Sequence, residues 1–186
     1  MTIALTLVGL IIGLTIGQAT PRFRPRARNS PDPGRTRQIL LPFTPTTLSR
    51  RALEAAIRLA NAEHATLIPA FLATVPLTLP LESPVPRQSL VAMPLLETIE
   101  QRATAHGIAV DSRVQAGRTY HHALARLLEH EQFDRVIISA TSKPRTGLSG
   151  PDLLWLLDHT QAEVIILRPA PQDTHMISTD NLKGHF

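Results

Sequence analysis

Two runs of β-branched and aliphatic residues, Val136-Ile137-Ile138 and Val164-Ile165-Ile166-Leu167, constrain the fold of this chain more than any other feature of it. Neither run alternates with polar residues. A strand with one wet face alternates, so such runs belong to strands covered on both faces of a parallel sheet. Parallel neighbours need a crossover, and the segment between the runs supplies one. Thr141 to Gly150 is a Ser/Thr/Gly/Pro loop, and Pro151 and Asp152 open a helix. Pro fits a first turn because that N–H has no helical partner, and Asp complements the positive end of the dipole. Ligands of open α/β sheets bind beyond the carboxyl ends of the strands. A small-molecule site is therefore expected in residues 139–151.

The same alternation recurs upstream. Ile39-Leu40-Leu41-Pro42-Phe43 reads as a first strand, and a loop from Thr44 to Thr47 leads into a helix ending near His64. Leu53, Ala56, Ile57 and Ala60 form the apolar stripe of that helix, and Glu54 and Arg58 form an i,i+4 pair. Ala65 to Leu72 is a second strand, interrupted by Pro69. After a Pro-rich loop over 75–88, a helix is expected from about Met93 to His106, with Leu96, Ile99 and Ala103 inward and Gly107 as its stop. Ile108 to Val114 is the third strand. Thr119 caps a helix whose stripe is Tyr120, Leu124, Leu127 and Leu128. The pattern predicts a doubly wound α/β sandwich over residues 38–169, followed by a polar tail over 170–186 that is expected to be unstructured.

The amino terminus is different. Residues 1–20 carry no charged side chain, and about twenty apolar residues in a helix cross a roughly 30 Å hydrocarbon core. Arg22, Arg24, Arg26 and Arg28 follow at once. Positive charge marks the side that stays cytoplasmic, so the expectation is a single-pass anchor with its amino terminus outside and the domain in the cytoplasm. Gly17-Gln18-Ala19 also has the form of a cleavage site, but the basic segment that would precede a secretory signal is missing. Gly9, Gly13 and Gly17 fall at the four-residue spacing that lets helices approach in lipid. Residues 21–37 are rich in Pro and Arg and read as an extended linker whose Arg22, Arg24, Arg26 and Arg28 rest on anionic headgroups.

Charge separates the linker from the domain. Residues 22–37 hold six Arg and one Asp, whereas residues 38–186 hold 13 basic and 14 acidic side chains. Nucleic-acid binding by the domain is therefore not expected. Cysteine is absent, which removes thiol chemistry and Cys-based metal sites. His121, His122 and His130 share one predicted helix but lack metal-ligand spacing, so they read as solvated and no metal site is expected. Ser139, Thr141 and Ser142 have no base beside them, so no catalytic residue is assigned. Trp155 reads as core.

Taken together, RQILLPF, SRRALEAAIRLANAEHATLIPAFL, VQAGRTYHHALARLLEHEQFDRVIISA, TSKPRTGLSG and VIILRP resemble the universal stress protein family over residues 38–169. The resemblance implies strand order 3-2-1-4-5, homodimers pairing through the last strand and, in one branch, ATP binding. That branch carries an acid after the first strand and a G-x2-G-x9-G-[ST] loop after the fourth. Here the corresponding positions are Thr44 for the acid, Ala140 and Lys143 for the first two glycines, Gly150 for the third, and Pro151 for the hydroxyl. Pro42, Thr44, Ala140, Lys143, Arg145, Gly147 and Gly150 thus outline a degenerate nucleotide loop. No cofactor is expected in it, ATP included. The chain reads as a non-enzymatic, membrane-anchored interaction or accessory module that docks a membrane protein or a second copy. The alternative is a membrane-tethered sensor of adenine nucleotide.

Overall fold

The computed structural model describes residues 35–45, 48–140 and 148–168. Five strands, β1 (Gln38–Phe43), β2 (Thr66–Thr74), β3 (Arg113–Gly117), β4 (Arg135–Ser139) and β5 (Glu163–Leu167), form one sheet in the order β3-β2-β1-β4-β5. Every neighbouring pair is parallel. Helices α1 (Arg50–Glu63), α2 (Pro86–Ala105), α3 (Tyr120–His130) and α4 (Gly150–His159) make the crossovers. The α/β class and strand order are as expected.

Two apolar layers explain the unalternating run of β4, whereas β5, expected to be covered on both faces, lies at the edge of the sheet and is only partly covered. On one face of the sheet Leu53, Ile57, Leu96 and Ile99 of α1 and α2 pack on Ile39, Leu41, Phe43 and Phe71. On the other, Leu124, Leu127 and Leu156 of α3 and α4 pack on Leu40, Ile68, Leu72, Val136 and Ile138. Each such side chain, fully buried, stabilises the fold by about 1.5–3 kcal/mol. Ser49 and Thr119 cap α1 and α3 by accepting from the N–H of Ala52 (3.1 Å) and His122 (3.0 Å). His64 ends α1 in the left-handed conformation (φ 51°), and Gly107 (φ 72°) follows α2.

The structure departs from the sequence reading at several places. The third strand starts at Arg113 rather than Ile108, and Pro69 is the physical reason. Leu67 exchanges backbone bonds with the β3 side, donating to Ala109 (2.9 Å) and accepting from Asp111 (3.0 Å). Two residues on, Pro69 has the same orientation in the strand but no N–H to donate. The pairing lapses there and resumes at Ala70 opposite Arg113. β2 itself runs to Thr74, two residues beyond the expected end. Helix α2 begins at Pro86, not Met93, and passes through Pro94. Its first turns are held by Gln88, whose amide donates to the Thr74 carbonyl (2.6 Å) and accepts from the Thr74 N–H (2.8 Å). Glu54 pairs with Arg50 (2.7 Å) and not with Arg58.

The expected membrane span over residues 1–20, the linker up to residue 34 and the tail over 170–186 lie outside the described residues. Among the described residues no helix is long and apolar enough to cross a membrane. The end of the linker is not merely extended spacer. Arg35 donates to the Gln132 carbonyl (2.8 Å) and Arg37 pairs with Glu63 (3.2 Å), which ties the approach to β1 onto the domain.

Candidate functional site

The carboxyl ends of β1 and β4 and the start of α4 form the region where a doubly wound sheet holds its ligand. Pro42 is buried in β1 opposite Ala70, and Thr44 follows it with no exposed surface. Ala140 donates its N–H to the Leu167 carbonyl (2.9 Å), so it continues the β4–β5 pairing. Gly150 is the first residue of α4. Lys143, Arg145 and Gly147 lie outside the described residues. Ser139, at the end of β4, is buried, and among the described residues its Oγ has no hydrogen-bond partner.

Two glycines behave differently. A Cβ built on Gly150 meets nothing within 4 Å, so packing within the domain does not require glycine there. At Gly117, where β3 ends, an added Cβ would stand 2.3 Å from the Ala123 nitrogen. That glycine is required by the close approach of α3.

The amino end of α4 is occupied by its own carboxylate. Asp152 Oδ2 accepts from both the N–H (2.7 Å) and the hydroxyl (2.7 Å) of the N-cap residue Ser149. Its other oxygen lies 3.0 Å from His121 Nδ1 of α3. Partial burial opposes the charge of Asp152, but the two Ser149 donors and His121 outweigh it and hold the carboxyl below its ordinary value. The ionised acid therefore stands where a helix dipole would otherwise attract an anion. The spacing Ser149-x-x-Asp152 is a capping signature visible in the sequence, and it adds two hydrogen bonds to the dipole complement expected of Asp152.

The histidines are less solvated than expected. His121 is partly buried and lies against Trp155, with ring centroids 4.4 Å apart, while Trp155 stacks on His159 at 4.7 Å. Trp155 is thus only partly in the core, at the margin of the α3–α4 layer. His122 Nδ1 accepts from the Arg118 N–H (3.1 Å). His130 is exposed, its Nδ1 donating to the Arg126 carbonyl (2.6 Å). No group of three or more potential metal ligands occurs among the described residues.

No protein-family model matches the sequence, and no curated protein sequence does. Solved structures do. A protein from the universal stress protein family of Burkholderia pseudomallei superposes with a TM-score of 0.52 over 71% of this chain and 96% of its own, at 20% identity. The fold is that of the universal stress proteins. UspA from Lactobacillus plantarum gives 0.53 over 72% of this chain and 99% of its own, at 16% identity. A universal stress protein solved in complex with cAMP gives 0.51 over 73% and 98%, at 18% identity. Within the universal-stress-protein fold, this chain keeps the sheet and the two helical layers and places an acid at the start of α4.

Proposed function

We propose that this chain is a divergent universal stress protein whose domain is a non-enzymatic docking module, held at a membrane by residues 1–20 and presented to the cytoplasm. The observation that supports this most directly is the Asp152 carboxylate at the amino end of α4. Phosphate placed there would meet a negative charge and find the Ser149 donors already taken. Pro151 removes one further N–H from the same turn. Thr44 stands in place of the acid that the ATP-binding branch carries.

Docking uses the far edge of the sheet. Among the described residues β5 is an edge strand with no strand paired on its outer side, and Ile166 on it is 43% exposed. Leu154 and Leu157, one turn apart on α4, are 66% and 52% exposed. Exposed large apolar side chains and an open ladder suit a second copy of the chain or a membrane-protein partner. Arg22, Arg24, Arg26 and Arg28 then hold the linker against anionic headgroups.

The second reading, an adenine-nucleotide sensor, draws support from the like-folded protein solved with cAMP and from the unpartnered hydroxyl of Ser139. One measurement separates the two. Calorimetric titration of the full chain with ATP and Mg²⁺ at physiological salt is expected to give no low-micromolar affinity. Saturable binding in that range overturns the docking module and establishes the sensor. Protease treatment of vesicles of known orientation tests the anchor, and protection of the domain on the far side refutes the topology.

A further inference from the structure

The end of the sandwich where α1 and α2 finish carries a feature that neither reading uses. Between the two helices lies a groove of about 310 Å³, lined by Glu54, Ile57, Arg58, Asn61, Arg102 and His106. Among the described residues neither the Arg58 nor the Arg102 guanidinium has a hydrogen-bond or ion-pair partner. The acid in the lining does not neutralise them, because Glu54 is engaged with Arg50 at 2.7 Å. His106 gives its Nδ1 proton to the Arg102 carbonyl (2.8 Å), which leaves Nε2 as the other polar atom of its ring. Asn61 adds an amide.

Two uncommitted guanidinium forks around one concavity suit a phosphate, whose paired oxygens match the planar N–H geometry. Location adds to the argument. Arg37, at the approach to β1, reaches Glu63 at the end of α1, so the chain enters the domain at the end that bears the groove. A linker rich in Arg precedes that point. We infer that the α1–α2 groove is a binding site for a phosphate-bearing anion, supplied by a phospholipid headgroup or by a soluble phosphate. The inference is independent of the nucleotide region at the opposite end of the sheet.

The test uses the full chain in neutral maltoside micelles and reads the guanidinium Nε–H signals of arginine by NMR. Inorganic phosphate and dihexanoyl phosphatidylglycerol are the two probes. Each is expected to shift the Arg58 and Arg102 signals to saturation. Arg58→Gln is expected to weaken binding roughly tenfold or more, the loss of one charged hydrogen bond. Arg87→Gln, on the exposed start of α2, leaves it unchanged. Tighter binding of the short-chain lipid assigns the headgroup as the source, and equal or tighter binding of phosphate assigns the soluble anion. Shifts that stay linear with both probes overturn the site. So does an Arg87→Gln loss equal to that of Arg58→Gln, which would reduce the effect to diffuse charge.

Discussion

Gly117 and Ala123 are packed backbone to backbone, so that a methyl group on the glycine would fall 2.3 Å from the Ala123 nitrogen and 2.6 Å from its Cα. No side-chain rotation relieves such a clash, and α3 would have to move away from β3. Gly117→Ala is expected to destabilise the fold by about 1–3 kcal/mol, the usual cost of overpacking. Chemical denaturation of the variant measures it, and an unchanged midpoint would show that α3 yields freely.

Asp152 links stability to pH. Its carboxyl is held below the ordinary value in the folded state, so its contribution is complete above the unfolded value of about 4 and disappears as pH falls through the lower folded value. Asp152→Asn is expected to cost about 1–2 kcal/mol at neutral pH. The difference from wild type should shrink steadily on acidification. A constant difference across the acid range would remove the charge from the explanation.

Glu63 joins three parts of the chain. It accepts from Arg135 of β4 and Arg37 ahead of β1, and Arg135 also pairs with Glu163 of β5. The Glu63 side chain is only 13% exposed, so Glu63→Gln leaves two guanidinium groups short of a charge in a partly buried place. A loss of about 1–3 kcal/mol is expected, smaller in high salt for the exposed Arg37 arm. Thermal unfolding at two ionic strengths measures both.

Ser139 points the opposite way. Its buried hydroxyl has no partner among the described residues, so removing it deletes a desolvation cost rather than a bond. Ser139→Ala is expected to raise stability by about 1 kcal/mol. A loss of that size would mean that the hydroxyl is satisfied in solution.

The sequence made much of this fold legible, for reasons that differ by element. The unalternating runs at 136–138 and 164–167 announce strands covered on both faces; they are β4 and β5, but only β4 is buried along its run, because β5 is the edge of the sheet and Ile166 on it is exposed. Thr119 caps α3 as expected, and Ser49 caps α1 in the same way. The strand order came from the family resemblance, because no single residue encodes it. The start of α2 was hidden because Leu90, Val91 and Met93 are exposed and Pro94 interrupts the pattern that marks a helix. At the candidate site, Gly150 came from the family resemblance and Asp152 from its place beside Pro151 at a helix start. The contact between Asp152 and His121, 31 residues apart, arises only when α3 and α4 pack on the same face. Arg50 and Arg58 are both one turn from Glu54, and spacing alone does not choose between them.

Pro69 has a consequence for motion. β3 is joined to β2 by a single bridge at Val110 and then, after the gap, by the ladder from Arg113 onward. An edge attached in two separate pieces opens piece by piece. The shorter piece has two backbone bonds through Leu67, the buried Ile108 and the Asp111 carboxylate held by Arg113 (2.6 Å), while the longer one is pinned at its start by Arg113 bonding to Glu131 (3.2 Å) and continues as a regular ladder. Amide exchange should therefore divide this edge, with Asp111 losing its proton to solvent long before the amides that follow Arg113. Proline here sets a boundary between fast and slow opening within one strand segment.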